Sequence, residues 1–213
     1  MDIGVIHTPQ TFSQLGILVL DGSGSMAGST PGKISKAQAV SAAVREMLTR
    51  MSVSRHMRNF YFAVITFDGQ ARVHTPVTPV ADVDDNADYD PMRGHGGGTN
   101  IGAGLREAQQ IAEGFLRTAP DDLPASVVIV VLSDGLDFDP TGSMRLADEI
   151  RNNPRITICS TYFAEVGALE PAAQDHLRAL ASNPGIGFKT IYDAETLRKF
   201  FLASVSAGVN LSV

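Results

Sequence analysis

The sequence predicts an α/β protein: six strands in one doubly wound, mostly parallel sheet, with helices on both faces. Three observations carry this. Short apolar runs alternate with segments of helical period along almost the whole chain. The most apolar run, residues 127–132, contains no polar residue, as a central strand buried on both faces requires. No linker rich in Pro, Gly or Ser divides the 213 residues, so residues 1–213 are expected to form a single domain.

The elements follow in order. Residues 17–20 read as a buried strand. Residues 31–51 read as a helix, because Ile34, Ala37, Val40, Val44, Met47 (or Leu48) and Met51 recur every three or four positions. Thr30 would cap it, with Pro31 in the first turn. Residues 60–67 form a second strand. Residues 71–75 form a short third, ended by Pro76 and Pro79 as an edge strand is. Residues 76–98, rich in Pro, Asp and Gly, read as a long loop. Ile101, Leu105, Ala108, Ala112, Phe115 and Leu116 mark the next helix. After the central strand come a short helix over 143–152, with Leu146, Ala147 and Ile150 inward, and a strand over 156–163. A helix over 171–182 and a last strand over 188–192 follow. Asp193 can cap a final helix carrying Leu197, Phe200, Phe201 and Val205. The ends, residues 1–13 and 208–213, are expected to be loosely held.

Composition narrows the function. Asp and Glu number 23 against 17 Lys and Arg, a formal net charge of −6, which argues against a broad nucleic-acid footprint. The longest apolar run is far shorter than the roughly 20 residues of a membrane span. The first 14 residues lack a basic start followed by an apolar stretch, so no signal peptide is read and a cytoplasmic protein is expected. The single cysteine, Cys159, excludes an intramolecular disulfide and, within an apolar run, reads as a buried thiol.

In an open parallel sheet, ligands gather beyond the carboxyl ends of the strands. Three segments should meet there: Asp21-Gly22-Ser23-Gly24-Ser25 after the first strand, Gly96-Gly97-Gly98-Thr99-Asn100 before the second helix, and Ser133-Asp134-Gly135 after the most apolar strand. Ser23, Ser25 and Thr99 offer neutral hydroxyl oxygens, and Asp21 and Asp134 offer two carboxylates. All are hard donors suited to Mg²⁺, with Mn²⁺ or Ca²⁺ as alternatives. The serines would contact the ion directly. The aspartates would sit one step out, accepting hydrogen bonds from bound waters and from the serine hydroxyls. Thr99 would bind directly or through water. So many neutral donors would leave the ion able to take one more anionic oxygen from outside.

These residues resemble von Willebrand factor A domains. Asp21, Ser23 and Ser25 match that family's D-x-S-x-S signature, Thr99 its threonine loop, and Asp134 its last aspartate. Together they resemble a complete metal-ion-dependent adhesion site, and the likeness spans a core of about residues 15–206. It implies a Rossmann-like sheet ordered 3-2-1-4-5-6, with the third strand antiparallel at the edge. It also implies Mg²⁺-dependent protein binding rather than catalysis. In length and layout the chain resembles stand-alone bacterial intracellular versions associated with tellurium resistance and stress response. The expected partner is another cytoplasmic protein presenting Glu or Asp to the metal, the chain itself being a monomer or one member of a hetero-complex.

Blander readings stand beside these. Asp21, Ser23, Ser25, Thr99 and Asp134 could be loop caps, with Thr99 or Asn100 capping the next helix. Four further residues are candidates for touching a partner. Met26 would do so or pack inward. His95, alone among five histidines, is expected near the site, as a base or as a loop hydrogen-bond former. Asp137 (with Asp139) would line the metal rim or start the next helix. Phe138 would be an exposed anchor or a partly buried loop aromatic. Asp82, Asp84, Asn86 and Asp88 imitate an EF-hand start, but Ala87 and Arg93 replace its glycine and closing glutamate. The competing class is an enzyme. Gly22, Gly24 and Gly28 approach a dinucleotide fingerprint, yet Asp68 falls too late for the ribose. Phosphoryl transfer with Asp21 as nucleophile lacks a second carboxylate two residues on and an obvious supporting lysine.

Overall fold

A computed structural model describes residues 10–165, 167 and 169–207. The residues beyond these limits, His7 and most of both expected loose ends among them, lie outside the description. Six strands form one sheet: β1 Ser13–Asp21, β2 Phe60–Phe67, β3 Ala71–Pro79, β4 Ala125–Ser133, β5 Ile156–Phe163 and β6 Phe188–Ile191. Their order is β3-β2-β1-β4-β5-β6, with only the β2–β3 pair antiparallel. Five helices cover it: α1 Lys36–Ser52, α2 Ile101–Thr118, α3 Pro140–Arg151, α4 Pro171–Leu180 and α5 Ala194–Ala207. The predicted fold class and strand order are therefore found.

Side chains alternate across each strand and so feed two cores. Leu18 and Leu20 join Val128, Val130 and Leu132 beneath α1 and α5. Leu15, Ile17 and Val19 join Ile129 and Val131 beneath α2, α3 and α4. Both faces being covered explains why β1 is buried at every position. Cys159 lies in the first core, and burial pushes its thiol up, as expected of an inert cysteine.

Several boundaries differ from the sequence reading: β1 begins at Ser13 rather than residue 17, α3 spans Pro140–Arg151 rather than 143–152, α4 ends at Leu180 rather than residue 182, and two further shifts have a visible local cause. The edge strand β3 runs past Pro76 to Pro79, because a register shift opposite Phe62 and Val64 accommodates prolines that donate no ladder hydrogen bond. Helix α1 starts at Lys36 rather than Pro31. Ser35 accepts from Gln38 N–H, and Gln38 reciprocates in a capping box, while Thr30 instead closes a turn onto Ile34. Among the described residues no helix is long and apolar enough to cross a membrane.

Candidate metal centre

Strands β1 and β4 are adjacent and parallel, so their carboxyl ends bring residues 21–25 and 133–135 side by side. The loop before α2 closes the third side: Gly24 N–H donates to Gly97 O at 3.1 Å. Two glycines permit this crowding. A side-chain carbon on Gly22 would collide with Pro91 O and His95, and Gly96 has a φ of 135°, open only to glycine at low cost.

The five predicted donors come together. Ser23 and Ser25 Oγ lie 3.0 Å apart, and Ser25 Oγ–H donates to Asp134 Oδ1 at 2.6 Å. Ser25 thereby commits its proton to Asp134, so in its contact with Ser23 it accepts and keeps one further lone pair. A carbon placed on Gly135 would sit 3.4 Å from Thr99 Oγ1 and 3.7 Å from Ser25 Oγ, so these two hydroxyls frame one small cradle. Thr99 is free for this because Asn100 caps α2, accepting from Ala103 N–H at 3.0 Å. That arrangement disfavours the loop-cap reading of Thr99. Among the described residues no cluster of three or more His, Cys, Asp or Glu could hold a metal, so the centre rests on hydroxyl oxygens. The donor set still fits a hard ion: corners of an octahedron with bonds of about 2.1 Å are about 3.0 Å apart, as the two serine oxygens are.

The carboxylates orient the hydroxyl loops. Asp21 accepts from Ser23 N–H at 2.7 Å and from Ser133 Oγ–H at 2.5 Å. Burial pushes its carboxyl up to about 6, against the opposing pull of these hydrogen bonds. Asp134 Oδ2 receives a residue that sequence reasoning missed. Lys36 Nζ lies 2.6 Å from it and 3.1 Å from Glu165 Oε1. Burial pulls the Lys36 ammonium down, but the two carboxylates outweigh that and hold it above its ordinary value. The signal was present. Lys36 stands four residues before Val40 and eight before Val44, on the apolar stripe, where a charge must find a buried partner.

Of the four expected partner contacts, three are corrected. Met26 is completely buried in the core beneath α1 and cannot meet a partner. The His95 side chain is buried too: its Nε2 is 2.9 Å from Thr66 Oγ1, and its Nδ1 is 3.1 Å from Asp68. It braces the threonine loop rather than facing out. Asp137 turns inward, accepting from Ile101 N–H and Ser143 Oγ–H and lying 3.2 Å from His176 Nε2. Asp139 starts α3 by capping Gly142 N–H. Ser143, His176 and Asp137 do not form a nucleophilic relay, because the same nitrogen of His176 faces both partners. Phe138 alone is outside, 83% exposed, with Leu136 beside it at 55%. In the acidic loop, Asp84 and Asp88 accept from Asn86 and Asp90 N–H, and Asp88 also pairs with Arg93, so these carboxylates close local turns.

A mostly parallel sheet of this order, with helices on both faces and hydroxyl-rich loops at its carboxyl edge, defines a doubly wound α/β domain. Residues 17–136, more than half of the chain, match the von Willebrand factor type A domain model, and the chain belongs to that family. Solved structures share the fold at low identity. The vWF domain of the type V pili tip protein Mfa5 from Porphyromonas gingivalis has a TM-score of 0.70 at 14% identity, over 95% of this chain and 97% of that one. BatB from Bacteroides thetaiotaomicron gives 0.65 at 16%, over 93% and 99%. The pilus adhesin SpaC from Lactobacillus rhamnosus GG gives 0.71 at 12%, over 93% of this chain but only 31% of its own. No curated protein matches the sequence.

Proposed function

We propose that Asp21, Ser23, Ser25, Thr99 and Asp134 form a complete metal-ion-dependent adhesion site that holds Mg²⁺ and binds a Glu or Asp side chain of a partner protein. One observation carries the reading: Ser23 and Ser25 oxygens lie an octahedral edge apart, with the Ser25 proton already given to Asp134. When bound, the ion would supply a positively charged corner for an outside carboxylate oxygen. The chain's own groups do the rest. Asp134 aims Ser25, Asp21 fixes the turn carrying Ser23, and the loop braced by His95 presents Thr99. Exposed Leu136 and Phe138 give the partner an apolar landing beside the charge. That SpaC and Mfa5 are a pilus adhesin and a pili tip protein supports a binding role for the fold. From the resemblance of its motifs and layout to bacterial intracellular forms of the family, we propose that the partner belongs to a cytoplasmic stress-response or tellurium-resistance-type system.

The geometry favours binding over nucleotide chemistry. The chain after β1 enters a single 3-10 turn at Gly24–Ala27, and α1 begins only at Lys36, so the helix that follows β1 does not open at the strand end as a dinucleotide fingerprint requires. Pro91 and His95 also press against Gly22, where phosphate would need to approach.

The test is partner capture from lysate with Mg²⁺, with EDTA, and with Ser23→Ala. Ser23 is preferred to Asp21, whose removal would strand buried Ser133. Capture should vanish in both arms while the circular dichroism spectrum stays unchanged. Capture that survives chelation and substitution alike defeats the metal bridge.

A further inference from the structure

We propose that Lys36 is a built-in counter-cation of the metal centre, which weakens the grip on the metal and strengthens the metal's grip on the incoming carboxylate. The inference rests on the metal-centre reading above. Lys36 opens α1 and is nearly inaccessible, at 5% exposure. Its side chain passes over Gly28, where an added carbon would lie 3.5 Å from Cε and collide with Glu165. A glycine is thus kept where the lysine and glutamate converge. Its ammonium bridges Asp134 Oδ2 and Glu165 Oε1.

Two consequences follow from this bridge. First, both oxygens of Asp134 are occupied, Oδ1 by the Ser25 hydroxyl and Oδ2 by the ammonium. Asp134 therefore acts as a positioning residue for Ser25, and turning it onto an ion would break a buried ion pair. Second, the charge balance changes. Asp21 and Asp134 bring two buried negative charges, and Lys36 offsets one of them. Through one carboxylate, the ammonium lies within roughly 7 Å of Ser25 Oγ, close enough for like-charge repulsion to act on a divalent ion. The ion is held less tightly and keeps more of its charge for a ligand. Glu165, half-exposed on the far side of the ammonium, damps that repulsion.

The experiment is calorimetric titration of Mn²⁺ into the wild-type chain, Lys36→Gln, Lys36→Met and Glu165→Gln, followed by acetate into each loaded protein. Gln keeps a hydrogen-bonding head between the two carboxylates while shedding the charge. Lys36→Gln and Lys36→Met should bind Mn²⁺ about tenfold more tightly, and acetate several-fold more weakly, because a repulsive charge is gone. Glu165→Gln should bind Mn²⁺ about two- to fivefold more weakly, because the ammonium is less damped. A lysine that merely ties the loops together gives the opposite sign, since cutting the tie loosens the site and weakens Mn²⁺. Folded Lys36 variants that bind Mn²⁺ no better than wild type overturn the proposal. If neither folds, an unchanged Mn²⁺ affinity in Glu165→Gln overturns it. A wild-type chain that binds no Mn²⁺ at all is a different result: it removes the metal centre itself, and this inference with it.

Discussion

Replacing Ser25 by Ala should separate what the proposed metal needs from what the fold needs. Ser25 makes two side-chain hydrogen bonds, to Asp134 at 2.6 Å and with Ser23 at 3.0 Å, in a half-exposed setting. Asp134 keeps Lys36 when the hydroxyl is lost. The stability cost should therefore sit at the low end for a hydrogen bond to a charged group, about 1.5 kcal/mol, or about 3–6 °C in Tm for a domain of this size. Mn²⁺ affinity should fall by at least about a hundredfold, because a direct oxygen donor is gone. Ser133→Ala should reverse the pattern. Ser133 and Asp21 are both fully buried, and the hydroxyl is the donor to Asp21 Oδ2. Losing it strands a buried carboxylate oxygen, at about 2–3 kcal/mol and about 4–12 °C. Mn²⁺ affinity should drop only about tenfold, since Asp21 acts by orienting the turn. Differential scanning fluorimetry and Mn²⁺ calorimetry on the two variants give a two-by-two comparison. Metal losses that simply track stability losses would mean the oxygens are structural and the coordination argument is wrong.

Phe138→Ala should leave Mn²⁺ affinity and Tm within error, because the ring is exposed, and yet weaken Mg²⁺-dependent partner capture several-fold; equal capture by both proteins would remove Phe138 from the binding face. Asp68 should report on the brace behind the threonine loop. Burial raises its carboxyl, but hydrogen bonds from Gln70 N–H, His95 and Gly97 N–H prevail and hold it at about 2, below the ordinary 3.8. Because the folded value is the lower, its stabilising contribution is complete above about pH 4 and is lost as pH falls towards 2. Urea midpoints of the wild type should therefore fall more steeply between pH 4 and pH 2.5 than those of Asp68→Asn, and parallel slopes would show that the Asp68 bonds contribute nothing.

The fold was readable because burial on two faces writes itself into composition. Strands β2 and β5 were bounded at Phe60–Phe67 and Ile156–Phe163 by the sequence alone, since each is an almost unbroken apolar or β-branched run. The start of α1 and the end of β3 moved because the limits of both are set locally. Helix α1 yielded its first turn to the Ser35–Gln38 box, a signal weaker to the eye than Pro31 but stronger in hydrogen bonds. The edge strand outlasted Pro76 because only its partner side needs donors, and no period in the sequence records a bulge.

The candidate centre was legible for a different reason. Its oxygens lie in three short segments, each pinned to a strand end or helix start, so predicting the strands placed the loops. What escaped were Lys36 and the inward role of Asp137, whose partners lie far along the chain and outside those loops. Lys36 reaches Asp134 across 98 positions, and Asp137 meets His176 across 39. Neither spacing leaves a trace in local periodicity. Yet both betray themselves by a mismatch between chemistry and address: a lysine on an apolar helix stripe, and an aspartate buried between exposed Leu136 and exposed Phe138. In Asp137 the mismatch resolves as architecture, because its two oxygens tie the start of α2 to α3 and so hold the threonine loop against the strand end. In Lys36 it resolves as a buried ammonium held between Asp134 and Glu165, beside the candidate centre.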